Sequence, residues 1–290
     1  MNDATVAELS RVARRCWGAL EMLQAAGWLA PQPAAAYAEL GLRGRVGYFA
    51  ARSAPMGEVG AGVVTATFYV FAPSLVAHAI PSAWQKVSPA DMVALRYRVV
   101  PATIRDMIGA AADDARLAEA AALARTACEG LSMPGRPLYA AHSLLDWPDD
   151  PMGELYHAAV LLREHRGDGH VAALVQAGVD PVEALVLDGL FSGSTEFVRT
   201  TRGWTDQDWA DGHTRLRSAG LITEGEAPTL TEEGLARRRD LERATDAAAL
   251  AGWRHLGLAG CQELLELLAP LREPVLASGV LPGWIGRRGA

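Results

Sequence analysis

The chain has 290 residues, 50% hydrophobic and 21% charged, with a net charge of −7. That length and apolar content exclude a disulfide-stapled miniprotein and a disordered chain, and they allow one large domain or two smaller ones with a self-sufficient core. Excess acid opposes sequence-independent binding to nucleic acid, which needs clustered positive charge to displace counterions.

Of the 27 basic residues, Lys86 alone is lysine, which with the abundant alanine reads as the codon usage of a GC-rich genome. Cys16, Cys128 and Cys261 are odd in number, far apart and without C-x-x-C spacing. Disulfides and a cysteine-bound metal are therefore not expected, and a reducing cytoplasm is the expected compartment. The N-terminus lacks the apolar stretch of a secretory signal.

Val6, Leu9, Ala13, Cys16, Trp17, Leu20 and Leu23 recur at spacings of three and four, predicting a helix of about six turns that ends near Gly27. A short helix is predicted from Pro33 to Leu40. The stretch Val59 to Gln85 has no Asp, Glu, Lys or Arg and is long enough to span a bilayer, but Pro73, Pro81, His78 and several glycines interrupt it; buried helical core is preferred. Three helix starts are explicit: Ser88-Pro89 with Asp91, Asp150-Pro151, and Asp180-Pro181 with Glu183 each place a capping side chain before a proline at the first helical position. A charged, alanine-rich helix is expected over Asp113 to Glu129. Gly167 and Gly178 suit the left-handed residue after a helix.

From Glu183 onward the order is helix, a strand-like Glu196–Thr200, a helix Asp206–Ser218 capped by Thr205, a small hairpin over 221–231, and another helix from Glu232. The run Arg217-Ser218-Ala219-Gly220-Leu221-Ile222, hairpin, Leu230-Thr231-Glu232-Glu233-Gly234-Leu235 resembles the winged helix of MarR-type regulators, over about a quarter of the chain. The stretches Gly47–Gly57, Arg163–Ala172 and Thr201–Thr205 are in turn similar to an actinobacterial family of helix-turn-helix proteins, a resemblance that runs along most of the chain and implies no particular activity. The resemblance to MarR-type regulators implies DNA binding, for which Arg202, Arg215 and Arg217 are the candidate residues. The proposed recognition helix nevertheless opens with Asp206, Asp208 and Asp211, which would repel phosphate, so a winged helix repurposed to support another site is preferred.

The densest polar run is Arg163-Glu164-His165-Arg166-Gly167-Asp168-Gly169-His170, expected at a turn between two helices, with Tyr156 and His157 on the preceding one. His165 or His170 is the candidate general acid or base, with Asp168 orienting the imidazole. Arg163 and Arg166 could hold an anionic ligand group in two-point fashion, and helix capping by the same residues is the competing reading. The spacing of His157, His165 and His170 matches no zinc signature. A second segment, Tyr48, Phe49, Arg52 and Met56 followed by Phe68 and Tyr69, suits an apolar pocket with one charged hook, Glu58 or a bound carboxylate being its partner.

The resulting expectation is a mainly α fold: a multi-helix N-terminal domain over 1–180 with the pocket, a winged-helix module over 181–245, and an amphipathic C-terminal segment over 246–290, containing Trp253 and Trp284, that packs on the body or on a partner in a homodimer. The expected function is binding of a small apolar or aromatic molecule with an anionic group, extending to acid/base chemistry of specialised metabolism with no organic cofactor and no metal. The alternative is a ligand-responsive MarR-like regulator binding DNA through 183–245.

Overall fold

A computed structural model describes residues 3–283. The first helix, α1 (Asp3–Leu29), runs through Gly27 without a break and stops only where Pro31 opens α2 (Pro31–Glu39). Gly27 serves a close crossing instead: a Cβ there would collide with Val100 Cγ1 on the helix packed against it. There follow α3 (Arg45–Ser53), α4 (Ala61–Phe68) and α5 (Pro73–Ala79). The uncharged stretch is thus broken into short helices, and among the described residues no single helix is long and apolar enough to cross a membrane.

The long helices come next: α6 (Pro89–Ile108), α7 (Asp114–Glu129), the short α8 (Pro137–Ser143) and α9 (Pro151–Gln176). Their starts obey the capping logic. Ser88 Oγ accepts the Asp91 N–H at 3.1 Å, and Asp113 and Asp150 cap α7 and α9 in the same way. Helices α1, α6, α7 and α9 enclose the largest core, which Cys16, Leu20, Ile104, Leu117, Leu155 and Leu264 fill. A smaller core joins α2 to α6 through Phe49, Val64, Phe71, Ile80 and Met92.

The last third begins with α10 (Pro181–Ser192), closed by a capping box between Asp180 and Glu183. Residues 196–200, expected as a strand, lie in α11 (Thr195–Thr201), so the chain makes helix-turn-helix with α12 (Asp206–Ser218). The expected hairpin is reduced to one antiparallel bridge, Ile222 with Leu230, plus a Thr223 N–H to Thr229 O bond at 2.9 Å. These elements share a third core of Leu174, Val182, Leu187, Val198, Trp209, Leu216, Ile222 and Leu241. Helix α13 (Glu232–Ala277) starts in that core, kinks at Gly257 (φ +80°), and ends in the large one, where Leu264, Leu268 and Val275 are buried. The C-terminal segment therefore packs on the body. Trp284 lies outside the described residues.

Candidate functional site

Helix α9 is the hub: seventeen of its residues are buried, so it is surrounded by protein rather than amphipathic. Its polar side chains must find partners inside. Glu164, 1% exposed, takes a two-point pair from Arg52 of α3, with Nε to Oε1 at 3.1 Å and Nη2 to Oε2 at 2.8 Å. Arg163 adds Nη1 to the same carboxylate at 2.9 Å and reaches Glu21 on α1 at 3.2 Å. Burial alone would raise the Glu164 carboxyl, yet Arg52 and Arg163 outweigh it and hold the group well below the usual carboxylate range. Neither Glu58 nor a ligand carboxylate is needed to pair Arg52.

Around this pair stands an aromatic wall. Tyr48, Phe49, Phe68 and Phe71 have ring centroids between 4.9 and 6.4 Å apart. The Arg52 guanidinium lies 4.3 Å from the Phe68 ring centre and donates to the Tyr48 hydroxyl at 3.2 Å, and Met56 packs on the same core. Arg45 sits over the Tyr48 ring at 5.7 Å, and Arg202 over Phe71 at 4.7 Å. Burial would raise the Tyr48 phenol, but Arg52, Arg163 and Arg202 bring it below its ordinary value. Tyr69 does not join this wall: at φ +57° it turns toward the third core and donates to the Val179 carbonyl at 2.6 Å.

Next to this wall, on α6, lies a second buried guanidinium. Arg96 is fully buried and donates from Nε to the Tyr156 hydroxyl at 3.1 Å and from Nη1 to the Ala51 carbonyl at 3.0 Å and to His142 Nε2 at 3.1 Å. His142 Nδ1 faces the Leu138 carbonyl at 2.8 Å, so its proton resides there and the ring is neutral. Burial, then Arg96, pushes that imidazole down to about 3. His157 bonds to Tyr97 through Nδ1 and lies edge-on to Trp147; burial, reinforced by Arg96, lowers it to about 4.

The run 163–170 is not a turn. Helix α9 passes through Gly167-Asp168-Gly169 without interruption, because neither glycine adopts a left-handed conformation and a helix interior tolerates both. The run's side chains consequently fan out to different neighbours. Asp168 Oδ2 accepts the N–H groups of Leu138 (3.1 Å) and Tyr139 (2.9 Å), so it caps α8 rather than the helix that contains it. His165 stands edge-on to the Tyr139 ring, 5.1 Å between centroids. Arg166 pairs with Glu242 and with Asp246 (3.0 Å) of α13 and covers Trp17. His170 Nδ1 donates to Thr245 Oγ1 at 2.9 Å, since that hydroxyl gives its own proton to the Leu241 carbonyl. The structure thus brings Arg52, Tyr48, Phe49, Phe68 and Arg163 together; His165 and Asp168 both meet Tyr139, by its ring and its backbone N–H, while His170 is held by Thr245, and no hydrogen bond joins the three.

In the last third, α11 and α12 meet at a four-residue connection whose ends are tied to the body. The Ala72 N–H donates to the Arg202 carbonyl at 2.9 Å, and Trp204 Nε1 to the Val70 carbonyl at 3.0 Å. Gly203, at φ +78°, lies against Leu75. A family model described as the helix-turn-helix family matches residues 13–282. The chain belongs to this family. No curated protein and no solved structure matches it.

Within this helix-turn-helix segment the three arginines read from the sequence as DNA contacts are all engaged. Arg202 points inward onto Phe71 and Phe197; Arg215 pairs with Asp180 (2.5 Å) and Glu183 (3.1 Å); Arg217 donates to the Gly225 carbonyl at 2.9 Å. The solvent-facing side of α12 carries Asp206, Gln207, Asp211, Thr214 and Arg215, with Asp206 paired to Arg199 at 2.6 Å. Sequence reasoning missed Glu164 as the partner of Arg52, Arg45 and Arg202 as neighbours of Tyr48, and Arg96 altogether. The signal for the last was Arg96 at helical spacing from Met92 and Val100, a charge on an apolar face that must be buried with company.

Proposed function

We propose that this helix-turn-helix family member binds a small apolar or aromatic molecule carrying a negative charge, beside Tyr48. The carrying observation is a surplus of cations at an aromatic wall: Arg45, Arg52, Arg163 and Arg202 gather around Tyr48, against the carboxylates of Glu164 and Glu21. Arg52 and Arg163 are neutralised by those two carboxylates and Asp188 offsets Arg202 in part, whereas Arg45 brings its positive charge against the Tyr48 ring and Arg202 against Phe71 and Phe197. An anionic guest would offset that charge where partial burial makes ionic interactions stronger than in water. The reading is one of binding; with no hydrogen bond joining His165, Asp168 and His170, acid/base catalysis draws no support from their arrangement.

Thermal unfolding with benzoate, 4-hydroxybenzoate and 1-naphthoate, each against its neutral amide, tests this proposal. At least one acid should raise the midpoint while its amide does not, because a ligand selective for the native state stabilises it. Arg45→Gln and Arg202→Gln should weaken that response about tenfold or more. Acids that leave the midpoint unmoved would overturn it.

A second reading, a DNA-binding regulator acting through 183–245, is favoured by the family itself. It is opposed by the outward side of α12, where Arg215 is engaged by Asp180 and Glu183 and Asp206 and Asp211 add acid, since recognition helices meet a polyanion. A gel shift at low salt on the upstream DNA of the chain's own gene decides it; no shift at micromolar protein removes the regulator.

A further inference from the structure

Arg96 is a fully buried cation, and no carboxylate among the described residues pairs with it. Its charge is met by faces and dipoles: the rings of Trp28, Tyr97 and Tyr156 lie 5.2–5.7 Å from its Cζ, and three acceptors take its Nε and Nη1 protons. Nη2 makes no hydrogen bond of good geometry, although the guanidinium also interacts with the Tyr97 hydroxyl, which His157 engages. Burying an ion in this way is costly unless an opposite charge joins it, and Arg, whose guanidinium stays charged, cannot escape by losing a proton.

The unmatched Nη2 has company. Trp28 Nε1, Tyr37 Oη and both polar atoms of the Gln24 amide are likewise buried without a partner. Trp28 stacks on Arg96 itself, and Tyr37 is an electrostatic neighbour of both Arg96 and Tyr156. Gln24 lies one helical turn before Trp28, on the side of α1 that Gly27 presses against Val100, one turn beyond Arg96 on α6. Two further donors, Trp28 Nε1 and Tyr37 Oη, and the Gln24 amide therefore lie unpaired in the neighbourhood of one guanidinium with no carboxylate partner, where buried polar groups are almost always paired. Donors in excess, positive charge and no carboxylate describe the first shell of an anion.

We propose that Arg96, Trp28, Tyr37 and Gln24 form an interior site for a small monovalent anion, a halide or a compact carboxylate. A single charge matches the single guanidinium, and the aromatic surroundings favour weakly hydrated ions over fluoride. This site adjoins the one beside Tyr48, Trp28 standing edge-on to the Tyr48 ring at 5.3 Å, but it uses a different guanidinium and different donors.

The test uses the full chain at constant ionic strength, replacing potassium fluoride stepwise by chloride, bromide or formate and following the thermal midpoint. The midpoint should rise by several degrees and in proportion to the logarithm of anion concentration above saturation. A response to halide alone identifies an inorganic ion, and a response to formate alone identifies a carboxylate; either supports the site. Arg96→Leu should abolish the dependence. Tyr37→Phe supplies a second arm that does not rely on the fold tolerating the loss of the guanidinium: it keeps the cation, removes one donor, and should raise the apparent dissociation constant about tenfold. Crystals grown with bromide should show its anomalous peak within hydrogen-bonding distance of Arg96 Nη2. Identical midpoints in all four salts, an anion dependence unchanged in Tyr37→Phe, or, where halide moves the midpoint, a bromide-grown crystal without that peak would each overturn the proposal; the first is the behaviour of a cluster hydrated by water.

Discussion

Arg52 and Glu164, separated by 112 residues, form a buried two-point ion pair that fastens the small core to the central helix α9. Removing one partner of such a pair costs more than the pair contributes, because the survivor is left charged in a dry place. Glu164→Gln should therefore lose about 3–5 kcal/mol of unfolding free energy. The double variant Arg52→Met, Glu164→Leu should be less damaged than Glu164→Gln alone, with Arg163 still held by Glu21. Urea unfolding followed by circular dichroism reads the difference; equal losses would mean that the pair is not the principal restraint.

The buried imidazoles make stability depend on pH in a definite direction. Burial pushes His142 to about 3 and His157, His165 and His170 to about 4. In the unfolded chain each titrates near 6.5, so below that pH the unfolded state takes up protons that the native state refuses. Their contribution is fully present above pH 6.5 and is lost as pH falls toward 4, at most about 1.4 kcal/mol per pH unit for each ring. Asp168 acts in the opposite sense, because burial raises it to about 6, so between pH 6 and 4 it is the native state that gains the proton. Three of the four imidazole slopes should thus survive. Urea midpoints at pH 7.5, 6.0 and 5.0 should fall steadily, and a flat profile would contradict the buried neutral rings.

Much of the fold was legible because the cues were local. Ser88, Asp150, Asp180 and Thr205 cap the helices they precede, and the period of Leu9, Cys16, Leu20 and Leu23 is that of the face α1 buries. The site was less legible because its cues are long-range. A helix enclosed on every side has no polar face, so Arg163 to His170 read as a turn when its side chains were meeting partners on α1, α3, α8 and α13. Glu196 to Thr200 has β-branched residues enough for a strand, yet burial of Val198 in the third core accompanies a helix there. No spacing rule joins Arg52 to Glu164, or Arg202 to Phe71.

Asp168 shows what the polar run does for the fold. Its carboxylate accepts two backbone N–H groups that open α8, where Pro137 already lacks a donor. Asp168→Ala should leave both amides buried and unpaired and cost about 1–3 kcal/mol. Asp168→Asn keeps an acceptor oxygen without the charge that burial penalises, so it should lose far less at pH 7.5. It should also steepen the fall in stability between pH 6 and 4 by removing the opposing titration. Chemical unfolding of both variants at pH 7.5 and pH 5.0 separates this cap from a catalytic role, which would leave stability alone.

Gly167 and Gly169 flank that aspartate, and space rather than turning distinguishes them. Both sit inside α9 with helical backbone, where exchanging glycine for alanine stabilises an unobstructed position by about 0.5–1 kcal/mol. At Gly167 an added Cβ meets only Glu164 Oε2 at 3.6 Å, an ordinary contact. At Gly169 it would run into the Arg136 guanidinium and press on Ala248 Cβ at 3.1 Å. Arg136 cannot simply swing away, because its two terminal nitrogens donate to the His165 and Ala248 carbonyls and so tie α9 to α13. Gly167→Ala should therefore raise the thermal midpoint by a few degrees. Gly169→Ala should lower it, with a loss of about 1–3 kcal/mol from overpacking and a displaced buried donor. The opposite ranking would mean that the chain turns at this sequence after all.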